Sequence, residues 1–231
     1  MFDFLFYTNV FYMFYLCYSF NFICKLYNVE QIMFQKYSVN MMRSTICFTL
    51  FHESLRNLSG IFRNVCLNNI DIIYRNYHTT FLSYFIFDTV ILFYQKLKNI
   101  EKKIRIDLLL HHIFAITILL LISKYRIYPI SMMIGLSEGM SIVSGPKLIS
   151  MHLGYKRITN LFIKFRLLYI IFIRMCVIWP MILLYLIFVI RYCNEIKLND
   201  AIFYISCSFI LLIMAAEMNW INSGRRELIR I

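Results

Sequence analysis

Ionisable side chains stand inside stretches of this chain that are otherwise apolar: His52 and Glu53, Asp88, the adjacent pair His111 and His112, Glu138, Arg166, Arg174 and Glu217. Asp107 precedes His111 by four residues, so on a helix the carboxylate shares a face with the imidazole and can orient it or raise its basicity. That geometry suits a general base or a nucleophile. His112 points about 100° away and is free to contact a neighbouring helix. The same two imidazoles can instead satisfy buried hydrogen-bond partners between helices, and the sequence leaves both readings open. Arg166, Ile170 and Arg174 also share a face, a ladder of positive charge suited to a phosphate or carboxylate head, or to pairing with Glu138, Glu217 or Asp88. Asp88 follows a run of bulky aromatic residues and is expected to turn inward. Glu138 lies between Gly135 and Gly139, whose small size admits a second backbone or a ligand.

The elements that position these groups follow from composition. Of 231 residues, 61% are hydrophobic and 18% aromatic, well above the apolar share of soluble domains. A helix needs about 20 residues to cross a hydrocarbon core of about 30 Å. Apolar stretches at 2–24, 41–62, 79–95, 106–123, 127–143, 161–190 and 201–221 meet or approach that length. The expected fold class is therefore all-α, a polytopic bundle of about seven transmembrane helices around a polar interior cavity. A charged side chain at mid-bilayer costs about 2.5–3.5 kcal/mol, whereas a Leu or Ile returns only about 0.3–0.6 kcal/mol. Acids and bases are nearly matched in number here, so pairing between helices lowers that cost.

The formal net charge of +12 sits in short segments beside the spans, which argues for membrane orientation and against a nucleic-acid partner. With seven spans, most Lys and Arg residues, Arg43 among them, fall on one side. Only Arg63, Arg75, Lys124, Arg126, Arg191 and Lys197 fall on the other. The richer side is read as cytosolic, which places the amino terminus in the lumen and the carboxyl terminus in the cytosol. Loops are expected at 25–40 and 145–160, and Pro180 predicts a bend near Trp179. Seven cysteines form no CxxC pair, and no metal-ligand spacing occurs, so neither a disulfide framework nor a metal or other resident cofactor is expected.

The order and spacing of five pieces, Ser83-Tyr84-Phe85-Ile86-Phe87-Asp88, Leu109-Leu110-His111-His112, Leu136-Ser137-Glu138, Leu153-Gly154 and Asn219-Trp220, resemble the TLC domain family. The likeness covers 39–225, with 1–38 as an amino-terminal anchor and loop and 226–231 as a basic cytosolic tail. It implies a multi-pass protein of the endoplasmic reticulum that binds, transports or regulates membrane lipids or sphingolipid precursors. Ceramide synthases of this family join an acyl group from acyl-CoA, as co-substrate, to a sphingoid amine. They follow the paired His with an H-D-x-x-D pattern. Glu138, Gly139 and Ile142 occupy those positions here, so the chain is closer to the TLC-domain-containing and CLN8-like members. Under the alternative of an acyltransferase, the resemblance implies catalytic roles for His111, His112 and Glu138. Asp88, Asp107, Arg166, Arg174 and Glu217 are expected to form a lipid-head-binding or interior charge network in either case.

Overall fold

With six glycines and three prolines in the whole chain, little in this sequence interrupts a helix. A computed structural model describes residues 4–26, 31–63, 72–100, 106–192 and 200–230, and among them every regular element is helical. In chain order these are α1 (Phe4–Leu26), α2 (Gln31–Arg56), α3 (Leu58–Arg63), α4 (Ile72–Leu97), α5 (Ile106–Tyr125) and α6 (Pro129–Ser137). A 3-10 helix (Glu138–Val143) follows, then α7 (Ser144–His152), α8 (Lys156–Leu168), a π-helix (Tyr169–Ile178), α9 (Trp179–Tyr192) and α10 (Asp200–Arg230).

Each predicted apolar stretch lies on one or more of these helices, and the all-α expectation holds. Among the described residues, two segments are long and apolar enough to cross a membrane: Leu108–Tyr125 in α5, and Lys156–Val189, which runs through α8, the π-helix and α9. Helix α1 carries Asn9, Tyr12 and Tyr15 among its apolar residues. The expected loops need correction. Helix α2 begins at Gln31, and 145–160 is almost wholly the helices α7 and α8, turning at Gly154 with φ of +73°. Their polar residues, such as Gln31, Gln35 and Lys36 in α2 and Lys147, Lys156 and Arg157 in α7 and α8, give them the pattern of loops.

The prolines mark where helical register changes. Pro146 follows the 3-10 stretch, and Pro180 follows the π-helix. Proline lacks a donor N–H and crowds the carbonyl four residues earlier, so the preceding turns shift to tighter or wider hydrogen bonding. The Trp179 N–H accordingly bonds to Arg174 O, five residues back. The effect of Pro180 is thus a π-helical run ending in Ile178, inside one continuous helix.

The stretch from Pro129 to Val143 is central. It touches α2, α4, α5, α8, α9 and the π-helix, and small residues let it. A side chain at Gly135 would meet Tyr77 and Ser54, and one at Gly139 would meet Tyr169 and Phe51. This favours close helix packing as the reason for both glycines. Around this stretch α1, α2, α4, α5, α10 and α8–α9 are arranged so that Arg174, Asp88, Glu138 and Glu217 are buried while Phe4, Phe11, Phe14 and Phe172 are exposed.

Candidate functional site

Asp88, on α4 and only 1% exposed, holds two cations or potential cations at once. Arg43 Nε of α2 donates to its Oδ1 at 2.7 Å, and His112 Nε2 of α5 stands 3.3 Å from its Oδ2. The other nitrogen of His112 lies 3.3 Å from the Thr89 hydroxyl. His112 is thus held on both sides and serves the α4–α5 contact. Phe85 packs edge-on against both imidazoles.

His111 faces elsewhere. Its Nε2 is 3.8 Å from Oε1 of Glu138, too far for a hydrogen bond, while Glu138 Oε2 accepts one from the Ser141 hydroxyl at 3.2 Å. Glu138 is the first residue of the 3-10 helix, which places its side chain beside α5. The Asp107 side chain lies outside the described residues, so the partner that the structure gives His111 is Glu138. Arg174, on the π-helix, is fully buried. Its Nη2 is 2.8 Å from Glu217 Oε1, its Nη1 donates to Met140 Sδ, and its guanidinium lies over the rings of Trp179 and Trp220. Trp179 Nε1 also donates to Glu217. Trp220 then meets His111 edge-on at 5.5 Å, joining the two groups.

Two cavities adjoin this network. One of about 620 Å³ opens between α5, α7, α8 and α10, with apolar walls such as Leu110, Phe114, Ile163 and Leu212, and with the Lys147–Glu227 ion pair at 2.9 Å. A smaller one of about 90 Å³ is lined by Arg43, Asp88, His112, Glu138 and Ser141. His111, Arg166 and Trp220 line both. Chemically, His111 is an imidazole at the edge of an apolar cavity with a carboxylate behind it, an arrangement able to move a proton or orient a polar head.

The structure therefore brings Asp88, His111, His112 and Glu138 together, with Arg166 beside them and the Arg174–Glu217 pair one aromatic ring away. It does not place His52 and Glu53 in the interior. Their side chains are 62% and 40% exposed and lie 3.7 Å from each other. The arginine ladder also divides by role, for Arg166 lines the cavities while Arg174 is taken up by Glu217. Sequence reasoning missed Arg43, which was assigned to the orienting charges beside the second span, and it missed Trp179, Met140 and Thr89. The signal for Arg43 was present, since it lies three residues inside that span. Among the described residues, no group of His, Cys, Asp and Glu side chains is placed to hold a metal ion. Comparison with family models, with curated proteins and with solved structures finds no match.

Proposed function

We propose that this chain is a multi-pass membrane protein of TLC type that binds a membrane lipid, with the acyl chain in the large cavity and the head near His111. The observation that carries this reading is that a cavity of about 620 Å³, walled in part by Leu110, Phe114, Ile163 and Leu212, and a chamber of about 90 Å³, on which Asp88 and Glu138 lie, share His111, Arg166 and Trp220 in their walls. In this reading about seven helical segments span the endoplasmic reticulum membrane, the amino terminus is lumenal and the carboxyl terminus cytosolic. Helices in lipid turn their apolar faces outward and keep ionisable groups inside, where such groups mark a ligand path. The exposed Phe and Leu side chains and the buried acids and bases agree with that rule.

The experiment is to purify the protein in mild detergent, extract it and identify the lipid by mass spectrometry, beside Ser223→Trp, which fills the large cavity. One lipid class enriched over the surrounding membrane in the parent and lost in the variant is expected. Unselective lipid in both would overturn the proposal.

The pairing of His111 with Glu138 favours a second reading, acyl transfer from acyl-CoA to an amine. His111 would take the proton of the attacking amine and return it to the departing thiolate. Incubation with acyl-CoA and a sphingoid base separates the two readings. Turnover abolished by His111→Ala would replace binding with catalysis.

A further inference from the structure

The small chamber gathers Arg43, Asp88, His111, His112, Glu138 and Ser141 among apolar neighbours such as Phe85 and Met140, and it is incompletely bonded. Glu138 is 3% exposed, and its Oε1 is buried without a hydrogen-bond donor. Across the chamber wall, Nη2 of Arg43 is buried without an acceptor, its Nε being taken by Asp88. Buried polar atoms are nearly always bonded, and these two belong to residues that both line the chamber of about 90 Å³, so a partner is called for there. The space corresponds to roughly three water molecules, or to a head of similar size.

The two atoms ask for opposite things. Glu138 Oε1 needs a donor and Arg43 Nη2 an acceptor. A hydroxyl offers both, an ammonium only donates, and an ionised phosphate only accepts. Net charge points the same way. Arg43 is already matched by Asp88 at 2.7 Å, and Arg174, matched by Glu217, lines neither cavity. A phosphate entering the chamber would therefore lie against the Asp88 and Glu138 carboxylates.

Building on the lipid-binding reading above, we propose that the small chamber is a head-group subsite for an uncharged, hydroxyl-bearing lipid. Glu138 accepts from one hydroxyl, Arg43 donates to it or to a neighbouring one, and Trp220 marks the threshold where the head ends and the chain begins. The Ser141 hydroxyl on Glu138 Oε2 holds the carboxylate in place, which makes Ser141 a positioning residue.

Native mass spectrometry of the full-length protein in detergent, titrated with monopalmitoyl glycerol, hexadecylamine and hexadecyl phosphate, tests this. The glycerol lipid is expected to bind at least about tenfold more tightly than either charged one, the effect of one hydrogen bond to a charged group. Glu138→Leu should erase most of that preference while leaving chain binding in place, and Ser141→Ala should reduce it in part. Equal or tighter binding of hexadecyl phosphate would overturn the subsite and place the head at Arg166. A preference unchanged in Glu138→Leu would overturn it too. Should that variant fail to fold, the preference in the parent and in Ser141→Ala decides alone. Binding of none of the three would count against lipid binding itself, which the co-purification experiment tests separately.

Discussion

Asp88 is a single carboxylate placed between a guanidinium and an imidazole, and removing it strands both. Breaking a buried pair from one side costs about 3–5 kcal/mol, because the remaining charge keeps its desolvation penalty. Asp88→Ala should therefore lower stability by about 3–5 kcal/mol in chemical unfolding of the micellar protein. Arg174 and Glu217 make the complementary case. Glu217→Leu alone should destabilise by a similar amount, whereas Arg174→Met with Glu217→Leu replaces the pair by apolar groups and should recover most of it. If the double variant is no more stable than the single one, the pair at 2.8 Å is not what holds these helices together. At this scale the sequence was informative about which groups turn inward, since an acid such as Asp88 among aromatic residues has few other places to go. It offered Glu138, Glu217 and Asp88 as partners for the arginines without choosing among them, and the structure pairs Arg174 with Glu217. Arg43 was read as a charge beside the span, because its long side chain can reach either the interface or the interior. The choice of Glu138 for His111 depends on the rotation and axial offset of two helices, which periodicity within either one does not specify.

Among the elements, the central stretch from Pro129 to Val143 carries the most information, because its small residues set how closely its neighbours approach. Gly139→Ala would drive a methyl into the Tyr169 ring and toward Phe51. Tyr169 cannot withdraw without loss, since its hydroxyl donates to Leu136 O. Overpacking of this kind costs about 1–3 kcal/mol, and it should also displace Glu138, the adjoining residue. Gly224→Ala, in α10, meets only the flexible end of Leu167 and should stay within about 0.5 kcal/mol of the parent. Equal losses in parallel unfolding curves would remove close packing as the reason for Gly139. Helix existence was legible here from long apolar runs with few breakers. The helices over 31–40 and 144–160 were not, because their polar residues look like loops to any reading based on apolar length. The π-helix was visible only as a proline, Pro180, whose effect spreads over the ten residues before it.

For the molecule as a whole, the deciding question is whether the inside-out distribution of polarity corresponds to helices that cross a bilayer. Helix α5 has 20 residues, about 30 Å at about 1.5 Å per residue, which equals one hydrocarbon thickness. A residue with left-handed backbone, Arg126, follows it, and another, Asn99, follows α4. If α5 spans the membrane in the proposed orientation, Lys98→Cys and Arg225→Cys should react with a membrane-impermeant maleimide added outside sealed microsomes. Arg126→Cys should react only after permeabilisation. Reaction of Arg126→Cys and Lys98→Cys from the same side would mean that α5 does not cross. The site argument would then change at its root, because the buried charges would need explaining as the core of a water-surrounded bundle with greasy faces covered by partners. The expected labelling pattern would instead place the approach to the large cavity at the cytosolic end, where Lys147 and Glu227 meet across it. That ion pair is partly exposed and worth at most about 1 kcal/mol to folding. Lys147→Ala should accordingly leave the unfolding curve nearly unmoved while speeding exchange of bound lipid, a difference that stopped-flow displacement can resolve.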